Sequence, residues 1–135
     1  MPDSRPITPG LFRDDDGGPH LLTGRCRRCA RRHFPVAPTC PYCGADGCLE
    51  TPAGPRGRLC LYTVVLTAPP GYRGPVPYGF GVVEVDDGLR VITRLTESRP
   101  ERLRPGLAVH LVLEPLFTDD EGRAVVSYAF RPEDA

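Results

Sequence analysis

The chain has 135 residues, and its 17 basic residues, all arginine, balance 17 acidic ones. That zero net charge excludes a global electrostatic case for nucleic acid or an anionic membrane, and no run approaches the roughly 18 apolar residues a membrane span needs. The 17 prolines and 15 glycines suit short strands joined by turns rather than long helices. The length fits one ordinary domain, or one small domain plus a metal-stapled module too small for its own core, and the second arrangement is the expectation. No apolar signal segment follows Met1, so the protein is expected to be cytoplasmic with its six cysteines reduced.

Residues 1–20 carry Pro2, Pro6, Pro9 and an Asp14-Asp15-Asp16-Gly17-Gly18 run, which predict an extended arm. Ile7, Leu11 and Phe12 are its sizeable apolar residues. They suit either a frayed terminus or a short anchor on the ribbon or on a partner.

Residues 21–49 hold two Cys-x-x-Cys pairs ten residues apart: Cys26 and Cys29, then Cys40 and Cys43. A Cys-x-x-Cys turn puts two thiolates on one side of a tight corner, and two facing corners supply four soft ligands for a tetrahedral Zn²⁺. The alternative is two disulfides. Four cysteines complete the tetrahedron, so zinc here is structural and His33 is read as a turn residue. Leu21 to Thr23 and His33 to Pro35 predict short strands, with Phe34 and Val36 packed beside the metal. Arg25, Arg27, Arg28, Arg31 and Arg32 give the ribbon a basic face, either simply solvated or set against phosphates or an acidic partner. Cys48 follows the second pair closely and is read either as a spare thiol or as a mis-ligation hazard.

Residues 50–56, with Pro52, Gly54 and Pro55, predict a linker. Residues 57–132 then predict five strands: Arg58 to Ala68, buried on much of its surface, Tyr78 to Asp86, Leu89 to Leu95, one starting at Leu107, and Arg123 to Arg131. Asp87-Gly88 marks a tight hairpin turn between the second and third, and a helical turn is expected around Glu101 to Leu103. Residues 133–135 are a tail. Five strands with a longer break after the third is an OB-fold pattern; an SH3-like barrel has the same strand count. The fold class is therefore mainly β, a rubredoxin-like zinc ribbon followed by a five-stranded OB-fold barrel.

This order of parts resembles the acyl-CoA-associated zinc-ribbon plus OB-fold family, formerly a domain of unknown function, found beside thiolase-like enzymes. The likeness spans nearly all of 21–132. It is carried by Leu22-Thr23-Gly24-Arg25-Cys26-Arg27-Arg28-Cys29, Phe34-Pro35, Cys40-Pro41-Tyr42-Cys43-Gly44, Gly57 with Tyr62-Thr63-Val64-Val65, Pro77-Tyr78 and Arg104-Pro105-Gly106-Leu107. Three departures stand out: Ala30 where a glycine often follows the first cysteine pair, the additional Cys48, and a shorter, more broken leading segment.

The resemblance implies a non-catalytic accessory subunit in a hetero-oligomer with a thiolase-like or acyl-CoA hydratase-like partner. Such complexes make or break carbon–carbon bonds or transfer acyl groups in lipid, sterol, aromatic or polyketide-type metabolism. A CoA thioester would meet this chain at the Pro/Gly-rich loop between the first two barrel strands. There Tyr72 is expected to stack on adenine and Arg73 to pair with phosphate, with Tyr78 at the loop's end and Arg90 and Arg94 of the third strand adding charge; the alternative is an ordinary exposed loop with a solubilising arginine. Two other classes compete. One is a single-stranded nucleic-acid binder, which the few aromatics and near-neutral barrel disfavour. The other is a stand-alone acyl-CoA thioesterase or transferase.

Overall fold

The computed structural model describes residues 3–133, apart from the side chain of Asp87; of the expected arm and tail, residues 1–2 and 134–135 lie outside them. Ten strands form two sheets among these residues. The smaller one is built on β3 (Gly18–Arg25), which pairs antiparallel with β2 (Phe12–Asp15), β4 (Arg32–His33) and β5 (Leu49–Ala53). The larger holds β6 (Arg56–Val65), β7 (Tyr78–Val85), β8 (Leu89–Leu95), β9 (Ala108–Thr118) and β10 (Ala124–Pro132), with β1 (Ser4–Pro6) on its outside.

The five long strands close into a barrel. β6 pairs with β7 and with β9, β7 with β8, and β9 with β10, all antiparallel; β10 meets β8 in parallel at Phe130 and Leu95. This is the Greek-key closure of an OB fold. The Asp87-Gly88 turn is a 3-10 turn over Asp86–Gly88 with Gly88 at φ +79°, and a second such turn covers Pro100–Arg102. Inward side chains alternate along the strands: Val83 and Val85 on β7, Leu89, Val91 and Leu95 on β8, Val109 and Leu111 on β9.

The first barrel strand departs from its expectation. It ends at Val65, and its register shifts between Leu59 and Leu61, with Cys60 as the extra residue of a β-bulge. Leu59 therefore points inward opposite Val83. Leu61, which strict alternation would also bury, turns outward opposite Val82 and is 64% exposed. Tyr62 and Val64 face the core instead.

Two further stretches are more ordered than their composition suggests. Residues 50–53, expected as linker, lie within β5 and pair with β3 despite Pro52. The arm supplies β1, parallel to β10 in a register of Ser4 with Ala124, and β2, which forms a hairpin with β3. The ribbon sheet also shares the barrel's core: Leu21 and Ala53, both almost fully buried, pack in one cluster with Leu59, Leu111 and Phe130.

Asp119 pins the arm from the β9–β10 turn. Its side chain accepts from Arg5 Nε at 2.9 Å, Arg123 N at 2.9 Å and Glu121 N at 3.0 Å. The Arg5 guanidinium first, then the Arg123 N–H, hold its carboxyl down at about 2 against an ordinary 3.8. A carboxylate depressed on folding stabilises the fold above its unfolded pKa, and that contribution is lost as pH falls through the folded value. We predict that β1 detaches between about pH 4 and pH 2, and that Asp119→Asn detaches it at neutral pH. Faster amide exchange at Arg5 and Ile7, without global unfolding, is the expected readout.

Candidate functional site

The smaller sheet delivers the cysteines. β3 ends at Arg25, so Cys26 begins the first knuckle, and β4 returns to pair with Gly24 and Arg25. That return is close: a Cβ on Gly24 would lie 2.3 Å from the ring of His33. His33 is buried, sits on β4 and accepts the Ala37 N–H at Nε2, so it is a packing residue rather than the expected turn residue. Phe34 likewise turns to the barrel, edge-on to Tyr128 with ring centroids 5.5 Å apart, rather than to the cysteines.

The two knuckles repeat one geometry. Cys26 N donates to Arg31 O and Ala30 N to Cys26 O; Cys40 N donates to Ala45 O and Gly44 N to Cys40 O. Inside each, two N–H groups point at the leading sulfur: Arg28 and Cys29 at Cys26 Sγ, both at 3.3 Å, and Tyr42 and Cys43 at Cys40 Sγ, at 3.4 and 3.5 Å. Such donors stabilise thiolate. The Cys29 N–H is the largest influence holding the Cys26 thiol at about 6. The Arg31 N–H acts to lower Cys29, yet burial and the neighbouring cysteines leave it raised to about 11.

All four sulfurs lie within 4.8 Å of one another, with Cys26 to Cys43 at 3.5 Å and Cys29 to Cys40 at 3.7 Å. These separations are too long for disulfides, and all six cysteines are free. They match the roughly 3.8 Å edge of a tetrahedron with Zn–S bonds of ~2.3 Å. The four cysteines are thus positioned to bind a metal ion. Cys48 lies outside this group, its thiol pushed up by burial and then by the charge of Cys26.

The turn after each knuckle needs a left-handed residue, supplied by Gly44 at φ +78° and Ala30 at φ +66°. A methyl at that φ is strained. Ala30→Gly should therefore stabilise the chain by about 0.5–1 kcal/mol, read as a higher denaturation midpoint at unchanged zinc content.

The expected CoA contacts divide into three places. Tyr72, Tyr78 and Arg94 come together: the two rings are 4.7 Å apart, the Arg94 guanidinium lies 5.9 Å from the Tyr78 ring, and Arg94 pairs with Glu114 at 3.1 Å. Tyr72 also donates its hydroxyl to Pro75 O, so its loop folds back on the barrel, where Gly74 leaves no room for a Cβ against Leu116. Arg73 lies separately over Phe117 at 4.6 Å and 3.6 Å from Asp120. Arg90 lies further along β8, 3.6 Å from Glu84, lining a cavity of about 440 Å³ with Arg25, Arg31 and Tyr42.

Arg90 and Arg94 also line a groove of about 560 Å³ that sequence reasoning missed, bounded by Ile7 and Leu11 of the arm, Phe34 of the ribbon, and Ile92 and Tyr128 of the barrel. Its walls come from segments far apart in the chain, so no local pattern marks it. Among the described residues, no helix is long and apolar enough to cross a membrane.

Ribbon, cysteine cluster and Greek-key barrel define a class: a zinc-ribbon protein carrying an OB fold. Comparison with known proteins narrows it. Residues 19–47 match the family described as ChsH2, rubredoxin-like zinc ribbon domain, and residues 50–114 match ChsH2, C-terminal OB-fold domain. The chain is 30% identical over 113 residues to a DUF35 domain-containing scaffold protein of Pyrococcus furiosus, covering 83% of this chain and 82% of that protein. It is 28% identical over 117 residues to the benzoylsuccinyl-CoA thiolase subunit BbsA of Thauera aromatica, covering 87% and 79%. Among solved structures it resembles the Ltp2-ChsH2(DUF35) aldolase, with a TM-score of 0.65, 28% identity and 84% of each chain covered. The chain belongs to this DUF35 family of zinc-ribbon and OB-fold proteins, which settles the barrel as OB rather than SH3-like.

Proposed function

We propose that this chain is a scaffold subunit that assembles with a thiolase-like partner and supports that partner's acyl-CoA carbon–carbon bond formation or cleavage, or acyl transfer. The carrying observation is its similarity, along most of both lengths, to a scaffold protein and to a thiolase subunit. The likeness to the aldolase complex points the same way. In this reading Cys26, Cys29, Cys40 and Cys43 hold one structural Zn²⁺. Four thiolates fill its tetrahedron and leave no open position for water or a substrate oxygen; the reacting groups belong to the partner.

A hydratase-like partner is the second form of the same reading, distinguished by which subunit is bound. Co-expression with the thiolase-like and hydratase-like subunits of the same genome tests both. Stable co-elution, and activity that needs both chains, is the expected result. Turnover by this chain alone, or no stable complex with either subunit, would sink the proposal.

Within that assembly we assign Arg73 to a phosphate of the CoA thioester. It is half-exposed, and its acidic neighbour Asp120 is 96% exposed, leaving the guanidinium open to a stronger anionic partner. Arg73→Ala should weaken CoA-ester binding to the complex without altering assembly; unchanged binding would remove this contact.

A further inference from the structure

We infer that the cavity between ribbon and barrel binds a diphosphate-bearing small molecule, held by Arg31 from the ribbon and Arg90 from the barrel. The site is separate from the Arg73 contact and independent of the scaffold reading, since it is built from this chain alone.

The walls of this cavity of about 440 Å³ carry four arginines: Arg25, Arg31 and Arg32 of the ribbon and Arg90 of β8. In a chain whose charges sum to zero, four guanidinium groups around one concavity are a local concentration of charge. A cleft lined by one sign of charge focuses its potential on what enters it. Like charges gathered in this way also repel one another, and an anion between them relieves that cost.

Two of the four are anchored to the ribbon. Arg25 Nη1 donates to Ala30 O at 3.1 Å, across the first knuckle. Arg32 is buried, and its Nη2 donates to Thr23 Oγ1 at 3.0 Å and Pro52 O at 3.1 Å. The other two keep donors available. Arg31 lies over the Tyr42 ring, 5.2 Å from its centroid, a contact that positions the guanidinium without consuming its N–H groups. Among the described residues Arg31 has no acidic partner. Arg90 faces Glu84 at 3.6 Å, with the two side chains 64% and 45% exposed, and a solvent-screened pair of this kind yields readily to a stronger anion. The nearby Asp86 carboxylate does not compete, for its Oδ2 accepts the Gly54 N–H at 3.3 Å.

Chemistry and size select the ligand. An arginine fork presents paired N–H donors that match phosphate oxygens bidentately, and two forks from two walls match the two phosphoryl groups of a diphosphate. The volume falls in the small-molecule range of roughly 300–1,000 Å³, which leaves room for an organic group beside the anion. Tyr42, 54% exposed, offers that group an aromatic surface. The centre of a protein interface is depleted of charge, with charged residues at its rim. This cavity has the reverse arrangement, so a small anion fits it better than a protein surface does.

Calorimetric titration of the full, zinc-loaded chain with inorganic pyrophosphate and with ADP, in low-salt buffer free of phosphate, tests the site. Pyrophosphate should bind stoichiometrically and more weakly as salt rises. Arg31→Ala and Arg90→Ala should each weaken it about tenfold, while Arg104→Ala, an exposed arginine ahead of β9, leaves it unchanged. ADP binding tighter than pyrophosphate, with the advantage lost in Tyr42→Ala, upholds the site and names a nucleotide as the source. Equal affinities uphold it for free diphosphate. Should an alanine variant misfold or lose zinc, Arg31→Gln and Arg90→Gln decide by the same criterion. No saturable binding of either probe at millimolar concentration, or wild-type affinity in both folded arginine variants, would overturn the assignment. Binding of an oligoglutamate peptide with no binding of the phosphate probes would give the cavity to an acidic protein segment and overturn it as well.

Discussion

Cys40→Ser is expected to lower the thermal midpoint of the whole chain, by about 10 °C or more, and to abolish stoichiometric zinc. Cys40 is the buried leading sulfur of the second knuckle and accepts two backbone N–H groups, so its loss removes a ligand and leaves those donors facing a weaker acceptor. Zinc binding in small ribbons is itself folding free energy, about 10–16 kcal/mol in isolated fingers, and one missing thiolate forfeits a sizeable part of it. The effect spreads because the ribbon is not an appendage. β3 carries Leu21 and β5 carries Ala53 into the cluster around Leu59 and Leu111, so loosening the cysteine corners strips one wall from the barrel core. A single cooperative transition, followed by far-UV circular dichroism and by zinc release, checks this. Two separated transitions with an unchanged barrel midpoint would contradict it, as would a Cys40→Ser chain that keeps one equivalent of zinc. Chelation of the wild-type protein should reproduce the shift and weaken partner binding with it.

Phe130→Ala is expected to cost about 3–5 kcal/mol, a large share of the roughly 5–15 kcal/mol that holds a domain of this size. Phe130 has no exposed surface and heads the fully buried side chains by volume. It also sits where the barrel closes. β8 and β10 pair at Phe130 and Leu95, and Phe130 O accepts the Thr96 N–H at 2.9 Å. Truncation leaves a cavity at the seam, and the neighbouring strands are held by their own ladders, so they collapse into it poorly. Urea denaturation should show a lower midpoint at similar slope. Phe130→Leu, which keeps most of the volume, should recover more than half of the loss. A cost below about 1 kcal/mol for the alanine variant would mean that the barrel closes without this side chain.

Much of the candidate site was legible before folding because its chemistry is local. The Cys26/Cys29 and Cys40/Cys43 spacing fixes two corners of backbone, and tetrahedral coordination then brings them together. The barrel strands were legible for a similar reason: side chains alternate with a period of two wherever one face is buried, and Asp87-Gly88 and Pro105-Gly106 punctuate the pattern. The ligand residues were less accessible. Tyr72 and Arg73 are adjacent in sequence, yet one stacks on Tyr78 and the other lies over Phe117, because the loop folds back onto β9 around Gly74.

By itself, then, the sequence determined a reduced four-cysteine corner pair and a chain of short alternating strands, since both follow from bonding geometry within a few residues. The tertiary structure decided the rest. Pro-rich segments that composition marks as arm and linker became β1, β2 and β5 because partners distant in the chain satisfy their backbone groups, with Ser4 paired to Ala124 as the extreme case. One inserted residue at Cys60 decided which face Leu61 occupies, and so that this leucine lies on the outside of the barrel. No local rule announces that bulge; it arises from how β6 must register against β7 and β9 at once.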